Sequence, residues 1–382
     1  MESKGFASFG SVGGGALSDR EGELRQAIRR PLGLSYHPLY RFYDGGSMTR
    51  RFRGLEEGGD DYWSEDWVGS CTCANNADPN GLTQGLSMVQ LPGIGSVSIK
   101  DLVETLPEEM VGERFAERWG PTTGVLVKLL SPSGPVPCHA HPTRAWARQH
   151  LGSPYGKTEA WIFLETPGDG REPAYAGVGF MPGVDRQWFA DAVRRHDNRS
   201  IREAVHRTEV RPGEAYVAHA GLPHFLGPRL LFIEVQEPSD HIVIPETSGE
   251  DDAGATMGLG WDVALDMLDY TTADAEATFA RARQRPSVLR TSHGSREVRL
   301  VNADVLDFFD ATALEVADEI EVADGRFSVA IVVEGAGYFE GNFDPIPVRR
   351  GDSFALPARL PLNVRAGSGA LRVVRCCGPS NA

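Results

Sequence analysis

The sequence predicts a mainly β protein, two antiparallel barrels carrying helical insertions, on three observations. Short apolar runs bounded by Gly or Pro recur through residues 120–236, the pattern of a sandwich or barrel. The same pattern returns between Val298 and Gly378. Between the runs, a few stretches change to a helical period. At 382 residues, the chain accommodates two or three domains.

In chain order, residues 1–35 read as a flexible N-terminal segment. Met1–Gly15 is small, polar and Gly-rich and lacks a signal-peptide core. Its Gly13–Gly15 run has no strand-turn-helix context of a phosphate loop. Residues 36–246 form the first expected barrel, mixed in character up to Gly120. Its strands are expected at Val125–Leu130, Ala160–Leu164, Tyr175–Phe180 and Leu230–Val235. A helical insertion is expected at about 185–206, where Trp188, Phe189, Ala192 and Val193 recur at helical spacing and Asn198-Arg199-Ser200 marks a break.

Residues 247–290 read as a linker and helices. Thr247–Gly254 is acidic and polar; Trp261, Leu265 and Leu268 mark one helix. A second covers Ala273–Gln284, with Thr271 and Asp274 as its capping box. Residues 291–382 form a second, degenerate barrel, with strands expected at Phe327–Val333, Gly337–Glu340, Ser353–Leu356, Leu362–Arg365 and Leu371–Val374. Gly351-Asp352-Ser353-Phe354 echoes Gly213-Glu214-Ala215-Tyr216, as two related barrels would.

Charge and cysteine usage exclude several classes. With 53 acidic against 38 basic residues, the formal charge of -15 gives no general attraction to nucleic acid or anionic membrane. No apolar run approaches the roughly 18–20 residues that span a bilayer, so the expected address is the cytoplasm. Cys71, Cys73, Cys138, Cys376 and Cys377 match neither a zinc-finger spacing nor a secreted disulfide framework, and read as reduced thiols. Arg350-Gly351-Asp352 reads as a β-turn rather than an adhesion motif.

Four positions carry the candidate chemistry: His139 and His141 in Cys138-His-Ala-His-Pro142, Glu159 in Lys157-Thr-Glu159, and His224 in Leu222-Pro-His224. On a strand, His-x-His points both imidazoles the same way, because side chains repeat every two residues. A carboxylate from a neighbouring strand and a third imidazole from a hairpin would complete a compact N/O site. That donor set suits Zn²⁺, Fe²⁺, Mn²⁺, Co²⁺ or Ni²⁺. No histidine follows His293, so the second barrel cannot rebuild the same site.

These residues resemble the cupin pattern of His-x-His, a later Glu and a Gly-x-x-His hairpin. Gly213, Gly221 and His224 keep its second half, and His219 stands where the pattern carries proline. The stretch His141-Pro142 followed by Gly156-Lys157-Thr158-Glu159-Ala160-Trp161 is similar to type I mannose-6-phosphate isomerases. Tyr43-Asp44-Gly45-Gly46, Ser64-Glu65-Asp66-Trp67, Arg211–His224 and Ile233–Gln236 with Ser239-Asp240 resemble further segments of that family in the same order. The resemblance spans roughly residues 35–378 and implies two cupin (jelly-roll) barrels and a divalent metal, zinc first, on His139, His141, Glu159 and His224.

It also implies a metal-dependent aldose–ketose isomerase that interconverts mannose 6-phosphate and fructose 6-phosphate or a related sugar. Glu234 matches the position proposed for acid/base work, and Lys157 would face the same cavity; Asp240 and His241 are weaker candidates. Three departures bear on substrate. His139 replaces the family's Gln, Pro137 its Ser, and Ile244 an arginine that serves the anionic substrate. Two readings from other classes remain beside the isomerase: a metal-binding cupin that binds or senses a carbohydrate without turnover, and a cupin oxygenase. The expected partner is a small sugar or sugar phosphate.

Overall fold

A computed structural model describes residues 20–56, 58–167 and 173–380, so the Gly13–Gly15 run lies outside the described residues. An antiparallel six-stranded sheet has the order Ala215–Ala218, Glu159–Glu165, Leu231–Gln236, Leu126–Leu130, Glu65–Val68, Pro38–Leu39. A three-stranded sheet of His224–Leu226, Tyr175–Phe180 and Val205–Glu209 faces it. Trp161, Phe163 and Phe232 of the larger sheet meet Ala176, Val178 and Leu226 of the smaller in one buried cluster, which fills the first barrel.

The second barrel repeats the plan. A seven-stranded sheet runs Leu32–Gly33, Ser353–Leu356, Ser328–Glu334, Leu371–Cys377, Asp310–Val316, Ser295–Arg299, Ser287–Ser292. Opposite lies a four-stranded sheet of Glu319–Val322, Leu362–Ala366, Ala336–Gly341 and Phe343–Arg349. Leu314, Val332, Phe339, Phe354, Val364 and Val373 pack between them. The molecule is thus mainly β and built as two cupin-type barrels.

The two large sheets lie back to back. Val127, Leu129, Ile162, Ile233 and Val235 share a buried cluster with Ala313, Val329, Ile331, Ala355 and Val374. This explains why Leu126–Leu130, apolar except for Lys128, is buried throughout: alternate residues face opposite ways, but both faces are covered. The sequence echo is also structural. Gly213 (φ 86°) and Gly351 (φ 96°) each occupy a left-handed turn before a strand. In each turn the following acid accepts from a backbone N–H, Glu214 from Arg211 and Asp352 from Arg349.

Several expectations need correction. Residues 20–35 are not loose: Glu21–Ala27 is helical, Leu24, Ile28 and Leu32 are buried, and Leu32–Gly33 pairs with Ser353–Leu356 of the second barrel. The chain therefore starts its described course against the distal barrel. The helix expected at Ala273–Gln284 is shorter, Ala275–Ala282, and its cap is Asp274 accepting from the Ala277 N–H rather than Thr271. The insertion appears as Arg186–Arg194 and Asn198–Glu203, each capped by an aspartate, Asp185 and Asp197. Sequence reading missed the helices Ile99–Thr105, Pro107–Val111 and Glu113–Trp119, and the helix Arg144–Leu151 between the His-x-His and Glu segments.

Candidate metal centre

His139 and His141 were expected on a strand, but they do not lie on a continuous one. Their segment is extended and held by isolated bridges, His139 to His224 and Ala140 to Val243. Each bridge exchanges two backbone hydrogen bonds of 2.8–2.9 Å. Extended backbone is what the two-residue repeat requires, so both imidazoles point inward all the same. Glu159 opens the strand Glu159–Glu165, and His224 opens the strand His224–Leu226. The Gly221 N–H donates to the His141 carbonyl and the Lys157 N–H to that of Pro142, tying the three segments together.

Gly156 is needed for that approach. A Cβ there would stand 2.5 Å from the Pro142 carbonyl oxygen and 2.7 Å from the Arg144 nitrogen. Around the segments lies a layer of fixed carboxylates. Glu237 accepts from the Thr158 N–H at 3.0 Å and pairs with Arg144, and Glu246 accepts from the Cys138 N–H at 2.6 Å and pairs with Arg202.

His139, His141, Glu159 and His224 converge, with one ligating atom from each lying within 4.8 Å of all the others. All four are at most 8% exposed. Each ring donates its Nδ1–H to a backbone carbonyl, His139 to Pro137, His141 to His241 and His224 to Leu222, at 2.8–2.9 Å. A carbonyl can only accept, so the proton stays on Nδ1 and the Nε2 lone pair faces the centre.

The consequence is an unsatisfied contact. His141 Nε2 lies 3.0 Å from one Glu159 oxygen and His224 Nε2 lies 3.2 Å from the other. In neutral imidazoles these are acceptors facing acceptors. His141 Nε2 and His224 Nε2 are buried without a hydrogen-bond partner, and Glu159 Oε2 meets the Lys157 ammonium at 3.2 Å but no hydrogen-bond donor from the rings it faces. Leaving the two ring nitrogens against a carboxylate costs roughly 1–3 kcal/mol for each unless a cation lies between them. Ligands about 2.1 Å from one ion stand about 3.0–3.4 Å apart at ordinary coordination angles; the His141–Glu159 and His224–Glu159 contacts match this, while the set as a whole spreads to within 4.8 Å. The donor set suits a divalent metal.

The electrostatics agree. Burial, with the other two imidazoles adding to it, keeps His139 well below the usual histidine range. Burial, then the Lys157 charge, takes His141 down to about 3. Both rings are neutral at pH 7, the state that ligates. Burial alone would raise Glu159; Lys157, with Nζ at 3.2 Å, holds it well below the carboxylate range instead. Trp161 donates its indole N–H to the same carboxylate at 3.0 Å.

Beside the cluster runs a buried chain of alternating charge. Asp240 takes a two-pronged contact from Arg41 at 2.9 and 3.0 Å, and Arg41 lies 3.2 Å from Glu65. Glu65 lies 3.5 Å from Lys128, and Lys128 lies 3.0 Å from Glu234. Tyr43 and Trp67 donate to Glu65 at 2.6 and 2.7 Å. Against burial, Arg41 and Lys128 hold Glu65 at about 2. Glu234 is raised by burial and by the Glu159 charge, with Lys128 and Lys157 opposing.

Lys157 and Glu234 thus line the same cleft as His139 and Glu159. Asp240 is committed to Arg41 and to Asn75 and is not among the cleft-lining residues. His241 offers its backbone carbonyl to His141; its half-buried ring does not line the cleft. Arg41, Tyr43, Glu65 and Lys128 were missed as site residues. Lys128 did carry a signal, being one of only four lysines and set inside the apolar run Val125–Leu130.

The fold is that of a bicupin, and the first of its two barrels holds a buried His₃–Glu cluster that suits a divalent metal. No family model matches the chain. Bacillus subtilis YvyI, a provisional mannose-6-phosphate isomerase, is 25% identical over 270 residues, which is 69% of this chain and 77% of that protein. The mannose-6-phosphate isomerase of Streptococcus mutans is 21% identical over 61% of this chain and 68% of its own length. The mannose 6-phosphate isomerase structure from Bacillus subtilis superposes with a TM-score of 0.70 at 20% identity, covering 91% of this chain and 99% of that one. A single-site variant of phosphomannose isomerase from Salmonella typhimurium gives 0.69 at 16% identity, over 92% of this chain and 100% of that one. The fold is shared throughout, and the chain is a divergent relative of the mannose-6-phosphate isomerases.

Proposed function

We propose that this chain is a metal-dependent aldose–ketose isomerase of the mannose-6-phosphate isomerase type, interconverting mannose 6-phosphate and fructose 6-phosphate or a related sugar. The observation that carries this reading is the acceptor-against-acceptor contact of Glu159 with His141 and His224, which calls for a cation, beside a buried acid/base pair, Lys128–Glu234. His139, His141, Glu159 and His224 would hold the ion, and zinc suits three imidazoles and one carboxylate. Once bound, such an ion supplies Lewis-acid polarisation of a carbonyl.

The remaining work falls to side chains. Isomerisation moves a proton between C1 and C2, and Glu234, with its raised affinity for protons, is suited to take and return it. Lys128 fixes the Glu234 carboxylate from 3.0 Å. Lys157 keeps donor capacity beyond its single contact with Glu159 and serves as counter-charge to a developing oxyanion. Asp240 acts through Arg41, and His241 through the orientation of His141.

Residues 36–246 would form the catalytic unit, 247–290 the connection, and 291–382 a supporting barrel. Among the described residues the only group with this ligand character lies in the first barrel, and no described helix is long and apolar enough to cross a membrane. The proposed setting is the cytoplasm and the proposed partner a small sugar. The cleft beside the cluster holds only about 30 Å³, which favours one second reading, a metal-binding carbohydrate sensor without turnover. A coupled assay on metal-loaded protein with mannose 6-phosphate and mannose, alongside metal analysis, separates the two. Absence of turnover on both sugars, at one metal per chain, would remove the isomerase.

A further inference from the structure

Resting on the isomerase reading, we propose that Phe42 is a specificity-determining residue, a stacking platform for the apolar face of the sugar at the cleft mouth. The argument begins with space. The free volume beside Glu159 and Glu234 is only about 30 Å³. Only a small reactive end of a sugar can enter, so the rest of the molecule must rest on the rim.

Hydrogen-bond donors and charges inside are largely spent on one another. Arg41 is engaged by Asp240, Asn76 and Glu65, and Lys128 by Glu65 and Glu234. What the rim offers is an exposed aromatic ring. Phe42 lines the cleft and is 46% exposed, in a chain segment whose neighbours Arg41 and Tyr43 are turned inward. Its orientation is fixed, because it meets the Tyr43 ring edge-on at 5.2 Å and 76°, and Tyr43 is pinned by Glu65. An exposed ring that lines a buried polar chamber, held by a pinned neighbour, is placed to meet whatever enters that chamber. Sugar rings carry one face of C–H groups that such an anchored ring can cover.

The test uses the full-length, metal-loaded protein and its Phe42→Ala, Phe42→Leu and Phe42→Trp variants. Binding of mannose and of mannose 6-phosphate is measured by calorimetry, and KM and kcat by the coupled assay. Phe42→Ala and Phe42→Leu are expected to weaken binding and raise KM by about tenfold, as loss of uniform binding does, with kcat changed less than about twofold. Phe42→Trp should retain wild-type affinity. Phe42→Leu keeps apolar bulk without the ring face, so it decides the matter if the alanine variant folds poorly. Unchanged affinity in both smaller variants would overturn the proposal while leaving the isomerase intact. Wild-type binding without turnover would remove the isomerase, and the affinity comparison would still decide Phe42. A wild-type protein that binds neither sugar would overturn both.

Discussion

Lys128→Met tests the buried charge chain most directly. Lys128 is 2% exposed, with its ammonium 3.0 Å from Glu234, 3.5 Å from Glu65 and 5.0 Å from the centre of the Trp67 ring. At an effective dielectric near 20, each ion contact is a gross attraction of about 5 kcal/mol. Most of that is offset by the cost of burying the charges, so the pairs add little net stability. Removing one partner is another matter, because it strands Glu234 away from water and leaves Glu65 with Arg41 as its only cation; the expected loss is about 3–5 kcal/mol. Methionine fills much of the vacated volume, so the cost is electrostatic rather than a cavity. Urea unfolding of metal-free protein measures it. The double variant Lys128→Met/Glu234→Gln should recover more than half the loss, since Glu65 keeps Arg41 at 3.2 Å. Metal loading should also shrink the Lys128→Met penalty, because a divalent cation in the same chamber compensates the stranded charge. A single variant that loses under about 1 kcal/mol, or a double variant no better than the single, would refute the account of a tightly coupled buried chain.

Three further outcomes follow from the site. Glu159→Gln removes the one anionic donor of the cluster and should lower zinc affinity by at least about 100-fold in a chelator competition, more than loss of a supporting residue would. Gly156→Ala puts a methyl 2.5 Å from the Pro142 carbonyl, against backbone that cannot give. It should cost about 1–3 kcal/mol in urea and loosen zinc binding, whereas Gly59→Ala, with open space around it, should do neither. The pH dependence has a defined sign. His139 and His141 are depressed in the folded state, so the unfolded chain binds more protons below its imidazole value of about 6.5. Metal-free stability should be fully present above about pH 6.5 and fall on acidification toward the folded His141 value of about 3, by up to about 1.4 kcal/mol per pH unit for each histidine. A flat stability profile between pH 6 and 4 would count against buried neutral rings.

Strands came through the sequence because their signal is local. Tyr175–Phe180 and Ser353–Leu356 lie where alternation and bounding Gly or Pro placed them. Two of the strands that were missed had that signal diluted. Ser287–Ser292 is an exposed edge strand, and Phe343–Arg349 carries Pro345 and Pro347 on a sheet edge, so neither shows a buried apolar period. The pinned state of residues 20–35 was hidden for a different reason. Leu32–Gly33 gains its partners from Ser353–Leu356, more than 300 residues away, and no local pattern encodes a contact of that span.

The site divides along the same line. His139, His141, Glu159 and His224 were readable because type and spacing alone constrain them, and the structure brings all four together. Arg41, Glu65 and Lys128 were not, because each is ordinary within its own segment and acquires meaning only from the others. Their joint effect is a charge count. Glu65, Glu159, Glu234 and Asp240 face Arg41, Lys128 and Lys157, so with neutral imidazoles and every carboxylate ionised the chamber carries one surplus negative charge. A divalent ion turns that into one surplus positive charge. An uncharged sugar would enter such a chamber without electrostatic penalty; when its C–H proton passes to Glu234 the total charge is unchanged, but negative charge moves from that carboxylate onto the sugar oxygens, where the cation and Lys157 would face it. A low-dielectric interior balanced in that way stabilises the charge that arises during the reaction more than the charges already present in the ground state, and differential stabilisation of that kind accelerates a reaction.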